Sequence, residues 1–482
     1  MSNRTWRGYW WEPGTPDRKV PGTLSYDQSG QLRLELVGGF DITIRESLPH
    51  GNGYTVKAET RPVLLIHGTS GNEKFTLMDN SCTHTSGSGF FDGEITKQDW
   101  ISIRALRGIH LASTETAIFI RSHLRLERLL HWANKSDFTL SIQEPEGDRP
   151  RPHRVERRPL VPTTAQHDDL SISLRLLSND FRYDDDIVAN ERTLGGKERA
   201  VLTFTPPSPV PCKHFDEIEK DFQDLLTLCS YEPCGALNRS LVYETPDGHA
   251  KEVEVIGRQV YRTATEKRKA DGHMLFSLAD VDFSELAPKW LRLKSGARTG
   301  CNILFGLRYI AKGYVGTRLL GVATAAESLH AALRPKTTPI AKSEYRRLKK
   351  KLLAAIFDEP DNLIQFVNTG LHNNPTYNER MLELSSIPDR HAVDALLGSR
   401  EQWSTMLRKS RNDLAHANER SSQEDRNSRA FLLLEVTYAL LCLVLMSELG
   451  ISSDAQRKAV KDHPRISYIS REFKKELTSD KQ

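Results

Sequence analysis

Residues 426–450 read RNSRAFLLLEVTYALLCLVLMSELG. From Val436 to Met446 the stretch carries no charge, yet Glu435 precedes it and the run is far shorter than the roughly 20 residues that span hydrocarbon. It therefore predicts a helix buried inside a bundle, with Gly450 as its C′ residue. Upstream, apolar residues at helical spacing predict four more helices, over Leu319–Leu333, Lys342–Phe357, Thr376–Leu384 and His391 to about Asn418. Short connections between such helices favour antiparallel neighbours, so 315–482 reads as an up-and-down bundle.

The chain changes character before that. Leu32-Arg33-Leu34-Glu35-Leu36 and Ile42-Thr43-Ile44 alternate apolar and polar residues between turn-forming residues, which makes 1–144 β-rich. The stretch from Glu144 to Thr164, EPEGDRPRPHRVERRPLVPTT, suits neither a strand nor a helix interior and reads as an exposed loop or linker. Residues 145–314 read as a mixed α/β continuation of the N-terminal region, with strands near 171–176, 200–204 and 253–260 and a helix over His214–Leu228. The expected class is α+β multidomain, a β-rich N-terminal region followed by an all-α bundle.

With 482 residues, 38% hydrophobic and 27% charged, the chain has enough apolar content for packed cores and too much for general disorder. A net charge of +4 is too weak a global bias to mark a nucleic-acid binder, so any basic surface must be local. MSNRTWRGYWWEPG has no continuous apolar stretch behind its arginines and does not read as a secretory signal. Six scattered cysteines suit a reducing compartment, so the expected location is cytoplasmic, with no membrane partner. There is no P-loop and no dinucleotide fingerprint, and no cofactor is expected. Cys212, His214, Cys229 and Cys234 offer four zinc-ligand types, but without any CxxC pair buried or incidental thiols are the default and no metal is expected. Trp6, Trp10 and Trp11 read as core residues rather than as a base-stacking platform.

One constellation in the bundle carries chemistry, Arg411-Asn412-Asp413-Leu414-Ala415-His416. The R-x4-H spacing alone means little: Arg45/His50 and Arg268/His273 repeat it, and Arg61/His67, Arg104/His110, Arg125/His131 and Arg457/His463 have one residue more. Arg457/His463 lies in the tail beyond the closing helix, so only Arg411 and His416 fall within the predicted helices of the bundle. The bland alternative is an exposed capping pair near a helix end.

RNDLAHAN, with Glu327-Ser328-Leu329-His330 on the bundle's first helix and the apolar closing helix, resembles HEPN ribonuclease domains, whose hallmark is R-x4-6-H with a polar residue after the arginine. Gly8-Tyr9-Trp10-Trp11-Glu12-Pro13, Pro21-Gly22-Thr23-Leu24 and Leu32 to Gly38 resemble the ApeA N-terminal domain. Together the resemblances imply an antiphage, abortive-infection effector whose bundle is a metal-independent endoribonuclease, restrained upstream and triggered by an unknown phage component. They imply Arg411 and His416 as the catalytic pair, Asn412 as a supporting residue, a homodimer, and RNA, with tRNA as one candidate, as the partner. Histidine supplies acid-base chemistry near neutral pH, and the arginine fork stabilises charge on phosphorus, giving a 2′,3′-cyclic phosphate and a 5′-OH. On one regular helix the two lie roughly 140° apart, which requires either a distortion near Asn412 or a second copy completing the cleft. Glu327 and His330 share a helix face and either line that cleft or form a structural hydrogen bond. Arg346, Arg347, Lys349 and Lys350 form a basic stripe, an RNA contact or a solvated face. The alternative from another class is a non-catalytic RNA- or protein-binding adaptor that uses the bundle to dimerise.

Overall fold

The computed structural model describes all residues except 1–2, 48–53, 88–94, 143–152, 187–190, 262–272, 311–312, 335–337, 416–422 and 480–482. Eight strands open the chain: β1 (Arg4–Trp11), β2 (Val20–Tyr26), β3 (Leu32–Val37), β4 (Thr43–Ser47), β5 (Tyr54–Thr60), β6 (Leu65–Ser70), β7 (Glu73–Gly87) and β8 (Ile95–Arg107). Apart from the β4–β5 hairpin they close on themselves, in the order β8-β3-β2-β1-β6-β7 and back to β8, as a six-stranded antiparallel barrel. The alternation over Leu32–Val37 is the reason: Leu32, Leu34 and Leu36 are buried while Arg33, Glu35 and Val37 face out. Trp6, Trp10, Phe75 and Trp100 fill the interior, so the N-terminal tryptophans are core. Gly68 lies so close to Trp10 that a Cβ there would sit 2.1 Å from the indole.

The chain continues through β9 (Phe119–Leu126), α1 (Leu129–Ala133), β10 (Phe138–Ile142), β11 (His153–Arg157), β12 (Thr163–His167), β13 (Leu170–Ser178), β14 (Arg182–Asp186), β15 (Glu191–Gly195), β16 (Glu198–Thr205), α2 (Phe215–Ser230), β17 (Ala236–Glu244) and β18 (Ala250–Gly257). β10–β11 and β14–β15 are separate hairpins, and the other strands extend the barrel sheet in the order β12-β13-β16-β9-β17-β18-β8. Strand order thus runs across the expected division at residue 144, with β9 from before it lying between β16 and β17 from after it. The linker reading of 144–164 is corrected where the chain is described: His153–Arg157 pairs with β10 and Thr163–His167 with β13. The described arginines there are used locally, Arg157 on Asp180 and Arg154 and Arg158 on Glu156. On β8, Arg104–Arg107 pairs with β7 along one edge and with β18 along the other, just beyond the residues that pair with β3.

The remainder is helical: α3 (Phe283–Gly296), α4 (Arg298–Tyr309), α5 (Val315–Leu333), α6 (Lys342–Ala354), α7 (Asp361–Gly370), α8 (Tyr377–Ser385), α9 (Arg390–Leu397), α10 (Arg400–Ala415), α11 (Gln423–Glu448), α12 (Ser453–Asp462) and α13 (Pro464–Ser479). One compact unit comprises Met1–Thr227, Pro233–Asp271 and Asp282–Pro288, and the other Leu228–Glu232, Gly272–Val281 and Lys289–Gln482, so helical packing begins before the expected residue 315. The single helix expected from His391 is two, because Gly398 adopts φ +72°, which an L side chain resists, and ends α9.

By length and composition Asn427–Glu448 is apolar enough to cross a membrane, which corrects the argument from run length, but 78% of its most apolar window is buried inside the bundle. Glu435 is buried with it. Its carboxylate accepts from Arg308 at 3.0–3.2 Å and from Arg465 at 3.0 Å, and the Arg308 guanidinium lies 3.8 Å over Tyr438 and 4.6 Å over Tyr231. Burial alone would raise the Glu435 pKa; the charges of Arg308 and Arg465 overcome it and hold the carboxyl below its ordinary value. Burial pushes the neighbouring Cys442 thiol up to about 12.

Candidate active site

Arg411 reaches its position because α10 buries Leu407 and Trp403, one and two turns before it, on the same face. Trp403 Nε1 donates to Thr437 Oγ1 of α11 at 2.9 Å and fixes the rotation of α10. Arg411 then emerges at the junction of α10 with α5 and α8, its side chain 40% exposed. α8 begins there with a capping box: Thr376 Oγ1 accepts from Glu379 N, and the Glu379 side chain accepts from Thr376 N. That cap places Tyr377 and Arg380 in the first turn of α8.

Four side chains meet at this junction. Glu327 of α5 accepts from Arg380 at 2.7 Å and from Arg411 at 3.4 Å. The Arg411 and Arg380 guanidinium carbons lie 5.1 and 5.9 Å from the centroid of the Tyr377 ring, within cation–π range. One turn further, His330 Nε2 and Glu383 Oε2 are 2.7 Å apart. Burial pushes the Tyr377 phenol well above its ordinary pKa, and Arg411 pulls the other way, so the hydroxyl stays protonated at neutral pH. Tyr377 Oη, Arg380 Nε, Asn378 Oδ1 and His330 Nδ1 are buried with no hydrogen-bond partner among the described residues.

Of the residues singled out from sequence, Glu327 and Arg411 come together, while His330 bonds Glu383 instead. Asn412 is half-buried on α10, which stays helical from Arg411 to Ala415, so no distortion occurs at Asn412. His416 lies outside the described residues. Arg346, Arg347, Lys349 and Lys350 lie on α6; Lys349 Nζ donates to Asn368 O at 3.1 Å. Tyr377, Arg380 and Glu383 were missed. Their i, i+3, i+6 spacing after the capping-box residue Thr376 was the available signal, but nothing local shows that this face meets Arg411.

Among the coincidental motifs, His50 and Arg268 lie outside the described residues, and Arg457 pairs with Asp389 at 3.1 Å. Arg61 forms a fork with Glu12, Arg104 binds Asp216, and His67 and His110 stack at 4.7 Å. Cys212, Cys229 and Cys234 are buried, and among the described residues no group of three or more His, Cys, Asp or Glu side chains is arranged to hold a metal.

Residues 5–290 match the family model of ApeA N-terminal domain 1, and residues 320–455 match that of the Apea-like HEPN domain. No curated protein and no solved structure matches the chain.

Proposed function

Because the chain belongs to the ApeA family of antiphage effectors, with an ApeA N-terminal domain followed by an Apea-like HEPN domain, we propose that it is an endoribonuclease that cuts cellular RNA, tRNA among the candidates, during infection. The observation that carries this reading is Arg411, a half-exposed guanidinium held between the Glu327 carboxylate and the Tyr377 ring where three bundle helices meet. Such a group is preorganised to receive a phosphate: its charge is permanent, its planar fork takes two oxygens, and its present partner is a single carboxylate at 3.4 Å.

The reaction is an internal transesterification. The RNA 2′-OH gives up its proton, the 2′-oxygen forms a bond to phosphorus, and the bond from phosphorus to the 5′-oxygen breaks as that oxygen takes a proton. Arg411 stabilises the extra charge on the phosphoryl oxygens, and His416 is assigned the proton transfers. Since α10 is regular through Ala415, the roughly 140° between positions 411 and 416 argues for a cleft shared between two copies related by a two-fold axis. The protein acts in the cytoplasm, and the N-terminal unit restrains it until a phage component is sensed.

Incubation of the purified full chain with total RNA in EDTA tests the assignment. Fragments with 5′-OH ends and 2′,3′-cyclic phosphates are expected; intact RNA that the protein nevertheless binds would favour the non-catalytic adaptor.

A further inference from the structure

Between α5 and α8 the chain leaves the body of the bundle as a helical hairpin. α6 and α7 pack on each other, and neither helix has a buried residue. The hairpin is nonetheless a built element. Tyr345 Oη donates to Leu371 O at 2.6 Å, and Asn373 closes its base, accepting from Ile340 N at 3.1 Å and donating to Ile340 O at 2.7 Å. Tyr345, Leu348 and Leu353 on α6, Ile356 in the connection, and Ile364 and Val367 on α7 are its half-buried apolar residues.

Two features of the hairpin's outer surface have no use within the fold. Lys342, Arg346, Arg347, Lys350 and Lys351 are exposed on α6, and among the described residues the one ion pair they make is Arg347 with Glu344 at 3.9 Å. Phe357, in the connection, is 78% exposed, and Phe366 on α7 is 73% exposed. Phe366 lies roughly 100° from Val367 and about 160° from Ile364 around the helix axis, so it cannot join the seam with α6.

We propose that the α6–α7 hairpin is an arm that grips an unpaired RNA strand, the α6 cations holding its phosphates and Phe357 and Phe366 stacking on its bases. This rests on the ribonuclease reading and narrows the substrate to RNA with single-stranded stretches. Cations alone accept any polyanion, and exposed aromatics alone suit any apolar surface. A single-stranded nucleic acid uses both, because each phosphate is accompanied by a base with a π face. Placement agrees: the hairpin runs directly into Thr376, the cap of α8, so the next residues are Tyr377 and then Arg380 of the Arg411 cluster. The base of the hairpin, closed by Asn373 on Ile340, thus leads into the helix that carries two members of that cluster.

The test measures binding separately from cleavage, in the full-length Arg411→Ala protein, with a fluorescein-labelled 20-nucleotide oligouridylate and a 20-base-pair RNA duplex. Phe357→Ala with Phe366→Ala should weaken oligouridylate binding at least tenfold and leave duplex binding within about twofold. Arg346→Gln with Lys350→Gln should weaken both and lower the salt dependence by roughly two phosphate contacts. Both pairs lie on helices or a connection without buried residues, so unchanged melting checks that they fold. Unaltered oligouridylate affinity in both double variants would overturn the proposal. So would a preference for vesicles containing phosphatidylserine over RNA, or self-association lost with the phenylalanines while RNA affinity holds. Cleavage is read separately, with Arg411 restored: wild-type cleavage together with normal binding by the hairpin variants removes the arm and leaves the ribonuclease, whereas RNA binding by the unsubstituted chain without any cleavage removes the ribonuclease, and the same binding data still judge the arm.

Discussion

Glu327 and Arg411 meet across α5 and α10 at 3.4 Å, but the shorter of the two Glu327 bonds, 2.7 Å, goes to Arg380. Arg380 therefore neutralises most of the Glu327 charge, and Arg411 is the more weakly held cation. Its replacement leaves no uncompensated carboxylate, so Arg411→Ala should melt like wild type while losing about 10²- to 10³-fold in single-turnover RNA cleavage. Arg411→Lys keeps the charge without the fork and should fall between. A cleavage rate within threefold of wild type would remove Arg411 from the chemistry.

The same triangle predicts opposite effects from its other two corners. Glu327→Gln frees Arg411 from a competing anion and should lower KM for RNA. Arg380→Gln gives Arg411 sole possession of Glu327 and should raise KM by roughly fivefold, the effect of about 1 kcal/mol for a half-exposed pair. Steady-state kinetics on both variants decide it; shifts in the same direction would mean that Glu327 does not compete with phosphate.

Tyr377 separates ring from hydroxyl. Tyr377→Phe keeps the face beneath Arg411 and removes a buried hydroxyl that has no partner among the described residues, so activity should stay within about twofold and stability should not fall. Tyr377→Leu removes the ring and should cost roughly 3- to 30-fold in cleavage, matching about 0.5–2 kcal/mol for the lost cation–π contact. Equal activity in the two variants would show that the ring does not position Arg411.

A shared cleft has a stoichiometric signature. Arg411→Ala and His416→Ala, each inactive alone, should regain about a quarter of wild-type activity when co-expressed with random pairing, because half the dimers are mixed and each holds one intact cleft. Differently tagged copies allow the mixed dimer to be purified and assayed. A well-assembled but inactive heterodimer would place both groups in one chain.

Glu435 predicts an acid limb of stability. Its folded pKa lies below the unfolded carboxylate value of about 4.3, so its contribution is fully present above that pH and is lost as pH falls through the folded value. Glu435→Gln should lower stability at pH 7 by about 3–5 kcal/mol, because Arg308 and Arg465 lose their counter-charge in a dry site, and should flatten the dependence below about pH 4.3. Thermal melting of both proteins from pH 3 to 7 measures both effects; parallel curves would exclude Glu435 as the source.

Legibility from sequence followed how local each constraint is. Leu32–Val37 reads directly as a strand because one face is buried, and residues 426–450 read as a core helix. The division at residue 144 is not a break in the sheet, since β9 is placed by pairing with strands more than 70 residues downstream, which no local pattern encodes. Gly398 falls inside the helix expected from His391, and its positive φ makes it a terminus instead. α7 was missed because its ten residues bring only Ile364 and Val367 to the seam, too short a stripe to set a helical period. At the site, Arg411 was legible through its motif, whereas Tyr377, Arg380 and Glu383 meet that region only after three helices pack.

The pairing of β8 with β18 also sets an order of events during synthesis. The strands that close the barrel are all complete by Arg107, whereas Glu254–Gly257, which cover the remaining edge of β8, are made about 150 residues later. At roughly 5–20 residues per second that interval lasts about 8–30 s, during which the barrel stands on the ribosome with the Arg104–Arg107 edge uncovered. Arg411 is translated about another 150 residues after Gly257. Each newly made chain has therefore synthesised every described strand before the ribosome reaches Arg411, so the helical cluster proposed to cut RNA is the part completed last.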